Sequence, residues 1–112
     1  MTATADSTAV QLLHLLGYLH SQHGETKRGL VLLLIAARLA PDNADIWRTL
    51  AHSFLADGEP NRTIAVIERL RQMNDSDHPV LDLLMGRALW ACGRQTEARR
   101  SFRDFLARRD QS

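Results

Sequence analysis

The chain is 112 residues long, 45% apolar and close to neutral, with a formal charge of +1. That length suits one domain with a modest core, the charge offers no bulk attraction to nucleic acid, and the lone Cys92 excludes an internal disulfide. No secretory signal pattern opens the sequence, and the longest apolar-rich run, Gly29–Ala37, is far too short to span a bilayer, so a soluble, cytoplasmic protein is expected.

Residues 1–8 are small and polar and read as a flexible N-terminus, with Ser7 or Thr8 as caps for a first helix over 9–23. That helix carries Val10, Leu12, Leu13, Leu15, Leu16 and Leu19, more apolar groups than one narrow core stripe accommodates. Gly24 ends it, since glycine adopts the left-handed backbone of a helix terminus. The second helix, 27–40, has no charge between Arg28 and Arg38. A helix apolar all round is normally buried all round. Two readings stand: a core helix covered by the N-terminal segment, or an exposed apolar face, including Leu30, Leu33 and Leu34, that a partner covers. Pro41 stops it.

Asp42, Asn43 and Asp45 open a third helix over 44–56, in which Trp47, Leu50, Ala51 and Phe54 follow the i, i+3, i+4, i+7 pattern. Trp47 is expected in the core. The turn Asp57–Pro60 leads to a fourth helix over 61–73, capped by Asn61, with Ile64, Ala65, Ile67, Leu70 and Met73 inward. The linker Asn74–His78 holds two acids and a histidine, but consecutive loop positions are a weak metal signal. Pro79 suits the first turn of a fifth helix over 79–91, with Leu81, Leu84, Met85, Ala88 and Leu89 inward. The last helix, 95–108, lies in a stretch with arginines at 94, 99, 100, 103, 108 and 109 against Glu97 and Asp104. It reads as a solvated face with cations favoured near the C-terminus, or as a contact for an acidic protein. Phe102, Phe105 and Leu106 are left near its edge, and 110–112 form a tail.

One period links these elements. Gly17, Ala51 and Gly86 are 34 and 35 residues apart, Gly24, Gly58 and Gly93 repeat those spacings, and Gly29, Thr63 and Ala98 each follow a turn glycine by five residues. The pattern resembles the tetratricopeptide repeat (TPR), a helix–turn–helix unit. It implies an all-α solenoid of six helices in three units, about 10–43, 44–77 and 79–109, within a single domain over 9–109. Thr63 replaces the usual small apolar residue, and Asp75 stands where a proline would close the second unit.

The residues offer no catalytic arrangement. There is no nucleophile motif and no phosphate-cradling glycine loop, and His14, His20, His23, His52 and His78 are scattered. Cys92, in the apolar end of a helix, reads as a buried, inert thiol. The expectation is a protein that is not an enzyme, with no cofactor, metal or small-molecule substrate and no nucleic-acid partner. Function then rests on the concave surface that stacked hairpins create. Its phase on the first helix of each unit selects Gln11, His14, Tyr18, Ser21 and Gln22, then Asp45, Arg48, His52 and Leu55, then Val80, Leu83, Arg87 and Trp90. Of these, Tyr18, Arg48, His52, Leu55, Leu83, Arg87 and Trp90 are the candidate partner-binding groove, since aromatic and arginine side chains anchor bound peptides. The Lys/Asn/Lys/Arg clamp by which some TPR co-chaperones hold a C-terminal carboxylate is missing; only Arg48 and Arg87 resemble it. Leu30, Leu33, Leu34, Phe102, Phe105 and Leu106 form a second candidate surface, apolar and exposed at the ends of the stack.

A more specific resemblance extends over nearly the whole chain. The run LLHLLGYLHSQHG, followed by LLLIAARLAPDN and the ending RRSFRDFLARRD, resembles the YscY/SctY family. The LLxLLGYLxxQxG opening and the AxxxFxxFL stretch, Ala98–Leu106, carry most of it. Proteins of that family serve the type III secretion systems of Gram-negative bacteria. The resemblance implies a virulence-associated, cytoplasmic chaperone that forms a heterodimer with a small export substrate (YscX/SctX-like). The pair would engage the export-gate protein at the inner face of the secretion apparatus. Related TPR chaperones bind needle or translocator subunits, and a self-associating TPR scaffold has the same pattern.

Overall fold

The computed structural model describes residues 3–73 and 78–111. Residues 74–77, which include most of the acidic linker and Asp75, lie outside the described residues, as do Met1, Thr2 and Ser112 of the expected flexible ends. The described residues form an all-α fold of six helices: α1 (Ala3–Gln22), α2 (Thr26–Leu39), α3 (Ala44–Ala56), α4 (Pro60–Gln72), α5 (Pro79–Ala91) and α6 (Gln95–Gln111). Helix α1 starts earlier than the composition suggested, so Ser7 and Thr8 lie within it and do not cap it.

The three hairpin turns are chemical copies of one another. Gly24, Gly58 and Gly93 have φ of 83°, 75° and 80°, the left-handed region that glycine enters without steric cost. Past each glycine the chain donates a backbone bond five residues back: Glu25 to His20 at 2.8 Å, Glu59 to Phe54 at 2.9 Å and Arg94 to Leu89 at 2.9 Å. These bonds satisfy carbonyls that a helix end leaves free. The starts are less uniform. The Asn43 side chain accepts from Ile46 N at 3.3 Å, a side-chain cap for α3. Helix α4 begins instead at Pro60, behind Glu59, so Asn61 is already helical and does not cap it.

The helices pack as the pairs α1/α2, α3/α4 and α5/α6, with α2 against α3, α4 against α5, and α3 touching both α1 and α5. The radius of gyration, 14.7 Å, exceeds the roughly 13 Å of a compact domain this size, as side-by-side stacking of hairpins requires. Within each pair the helices cross where side chains are small. A Cβ on Gly29 would lie 2.6 Å from Gly17 O, and one on Gly86 would run into the Phe102 ring. Thr63, at the matching place in α4, is fully buried, and its hydroxyl donates to Ala51 O at 3.2 Å. A polar residue is therefore accommodated there because its hydroxyl is satisfied.

Leu33, Ile46, Leu50, Ile67, Leu70, Leu81 and Leu84 are fully buried. Burial corrects several sequence expectations. Leu30 and Leu33, placed on an exposed partner surface, are core residues; Leu33 lies against Gly17, whose missing side chain makes room for it. Helix α2 is nonetheless not buried all round, since Val31, Leu34, Ile35 and Leu39 face outward. Ala65, expected inward, is exposed. Trp47 is half-buried, donating Nε1–H to Pro41 O at 2.8 Å with the Arg69 guanidinium 4.7 Å from its ring centroid. Phe102 and Phe105 are half-buried, Phe102 because it fills the space beside Gly86, while Leu106 remains exposed.

One feature had no sequence signal. Asp82 on α5 is buried between Arg71 of α4, whose Nη2 is 3.1 Å from Oδ1, and Arg108 of α6, whose Nε is 3.2 Å from Oδ2. Oδ2 has a charge partner but no well-aimed hydrogen bond. Burial pushes the Asp82 carboxyl above the ordinary range, while Arg108 and Arg71 pull it back. Arg108, expected on a solvated face, and Arg71 thus join three helices through one carboxylate.

Candidate functional site

Helices α1, α3 and α5 stand in a row, so their side chains outside the core share one face. That face carries three shallow hollows. At one end, Gln11, His14, Leu15 and Tyr18 line about 280 Å³. In the middle, residues of α1, α3 and α5, among them His14, Arg48, His52 and Val80, line about 400 Å³. At the far end, Arg87, Trp90 and Phe102 line about 430 Å³. Tyr18, Arg48, His52, Arg87 and Trp90 are therefore placed along one face, as their common phase required. Leu55 and Leu83 are half-buried and line none of these hollows.

The middle hollow is polar and internally bonded. His14 Nε2 is 2.8 Å from Thr49 Oγ1, and Thr49 Oγ1 donates to Asp45 O at 3.0 Å. Arg48 pairs with Asp45 one turn earlier. Burial lowers the His14 pKa below 6.5, with Asp45 acting the other way; burial and the nearby Arg87 lower that of His52. Both imidazoles are therefore chiefly neutral at pH 7; the Arg48 guanidinium is balanced by Asp45, and the cation next to the hollow is Arg87, which lines the Trp90 end. Ser21 is turned from the face and bonds Ser53 across the α1/α3 contact, Oγ to Oγ 3.1 Å.

The two end hollows differ in kind. Tyr18 is 47% exposed and Trp90 49%, so each ring offers a large apolar face beside a polar neighbour. The sequence reading placed Phe102 at the end of the stack and missed its part in the Trp90 hollow. The usable signal was Gly86, since a glycine in mid-helix leaves room that a ring from the paired helix fills. Cys92 is half-buried, not buried, with its thiol donating to Asn61 Oδ1 at 3.3 Å. Among the described residues, no group of three or more His, Cys, Asp or Glu side chains is arranged to hold a metal ion, and no helix is long and apolar enough to cross a membrane. No protein-family model matches the chain, and a comparison with curated proteins gives no match.

Proposed function

We propose that this protein is a non-catalytic TPR chaperone or adaptor that holds a helical or extended segment of a client protein along the α1–α3–α5 face. The observation that carries the reading is the order of the hollows: aromatic at Tyr18, polar in the middle where Arg48 pairs with Asp45 beside His14 and His52, and aromatic again at Trp90 with Arg87 beside it. Aromatic and arginine groups are the side chains that most often dominate binding energy, and an amphipathic segment with apolar residues flanking a polar one is complementary to that order. The sequence resemblance narrows the setting to type III secretion. There the client is a small YscX/SctX-like export substrate, the pair docks on the export gate, and the protein works in the cytoplasm at the inner face of the apparatus. A needle or translocator subunit is the alternative client.

Titration calorimetry with a purified YscX/SctX-like substrate tests this. Trp90→Ala and Tyr18→Ala, which remove the aromatic rings of the two end hollows, are expected to weaken binding by roughly tenfold or more each, with helical content unchanged. Client binding should also raise the melting temperature, because a ligand that binds only the folded state stabilises it. Two folded variants that bind as tightly as the parent would refute the groove reading.

A further inference from the structure

We infer that the open side of the third hairpin, around Arg99, Phe102 and Leu106, binds an acidic amphipathic helix of another protein, seated where a following hairpin would place its first helix. The repeat spacing of 34 and 35 residues sets Phe102 level with Ile67 and Leu33, Phe105 with Leu70 and Ala36, and Leu106 with Arg71 and Ala37. In the first two hairpins a following helix packs on this side, α3 on α2 and α5 on α4. Leu33, Ala36, Ala37, Ile67 and Leu70 are there at most 3% exposed, and Arg71 reaches across to Asp82 of α5. In the third hairpin Phe102 and Phe105 are only half-buried and Leu106 is 47% exposed. No further helix packs on α6 among the described residues.

Charge selects the occupant. Arg99 is level with Ile64 and Leu30, each 7% exposed, so a cation stands where the other hairpins bury an aliphatic side chain. Arg99, Arg103 and Leu106 follow i, i+4, i+7 along one side of α6. Both arginines are exposed, with no ion pair among the described residues. The acids of α6 lie elsewhere: Glu97 bonds Arg94, Asp104 acts on the buried Asp82, and Asp110 is about two turns beyond Arg103. A helix that covers Phe102 and Leu106 has to bring a carboxylate to Arg99, because a guanidinium covered without one is an unpaired buried charge. A second copy is a poor match. Its exposed large apolar side chains are concentrated on α1 and α2, and neither Ser7–Gln22 nor Thr26–Leu39 contains Asp or Glu. The face borders the proposed client groove only where Phe102 meets the Trp90 hollow, so the inference stands without the client reading.

Two synthetic amphipathic peptides of about 18 residues test it. Both carry a leucine stripe, flanked by glutamates in one and by lysines in the other. Titrations followed by amide NMR should show the glutamate peptide shifting resonances of α6 and the end of α5, and not those of α1. Arg99→Glu should weaken that peptide at least roughly tenfold and bind the lysine peptide more tightly than the parent does. Leu106→Gln, at an exposed position, should weaken both peptides, with helical content unchanged in either variant. Tyr18→Ala, at the far end of the groove, should leave the glutamate peptide unaffected while it weakens the client, which separates failure of this inference from failure of the groove reading. No binding of the glutamate peptide at millimolar concentration overturns the inference. So do an Arg99→Glu variant that binds it as the parent does, and shifts confined to α1 and α3. An oligothymidylate that shifts the same α6 resonances at lower concentration assigns the arginines to nucleic acid and overturns it. A concentration-dependent dimer of the chain alone that Leu106→Gln dissolves assigns the face to a second copy and also overturns it.

Discussion

Replacing Gly29 by alanine probes the closest approach in the fold. In isolation the change favours the helix by about 1 kcal/mol. In place, the new Cβ would lie 2.6 Å from Gly17 O and 3.0 Å from Ser21 N. Both are backbone atoms of α1 and cannot rotate away. Ordinary contact begins near 3.4 Å, so α1 and α2 must separate by about 0.8 Å. That shift also loosens Leu33 in its seat against Gly17 and strains the Ser21–Ser53 bond. Overpacking of this kind costs about 1–3 kcal/mol, and loss of the Leu33 contacts adds to it, so the net effect should be destabilisation of about 1–2 kcal/mol. For a domain this size the melting temperature should fall by roughly 5–10 °C. Thermal melts followed by circular dichroism measure this, with two controls. At Gly86 the nearest atoms a new Cβ would meet all belong to the half-buried Phe102 ring, a side chain that can swing outward, so Gly86→Ala should cost less than Gly29→Ala. Gly58→Ala has open space around it but a φ of +75°, and should cost about 1 kcal/mol from backbone strain alone. If Gly29→Ala melts at or above the parent temperature, the close crossing of α1 and α2 is wrong.

Two further outcomes follow from buried polar groups. The raised Asp82 pKa means the folded state holds its proton more tightly than the unfolded chain, so this group's contribution to stability is full below the ordinary carboxylate range, near pH 4, and is lost as pH rises through the raised value. The melting-temperature advantage of the parent over Asp82→Asn should therefore be greatest in acid and shrink with rising pH; an advantage that grows with pH would contradict the assigned burial. Thr63→Val keeps the shape but removes the hydroxyl bond to Ala51 O, and should destabilise by about 1 kcal/mol in a urea titration; a larger loss, beyond about 3 kcal/mol, would mean the pocket does not accept the isostere.

What the sequence by itself determined was local or periodic. The turn glycines need only their own backbone, so three left-handed residues at repeated spacing mark three hairpins without knowledge of any neighbour. Asn43 and Pro79 mark helix starts for the same reason, and Gly17, Gly29 and Gly86 mark close crossings because a missing Cβ has one main structural use inside a helix. The shared phase of Tyr18, Arg48, His52, Arg87 and Trp90 also survives folding, since every first helix repeats the same rotation. Tertiary structure decided the rest. An uninterrupted apolar helix such as α2 carries no phase, so only its neighbours determine that Leu30 and Leu33 are covered while Leu34 and Ile35 are not. The Asp82 clasp joins α4, α5 and α6 through side chains whose separation depends on how the pairs stack, and no spacing along the chain encodes it. Which leucines of α1 stay exposed was likewise decided only by the sides that α2 and α3 occupy, because exposure belongs to the assembled stack and not to the helix alone.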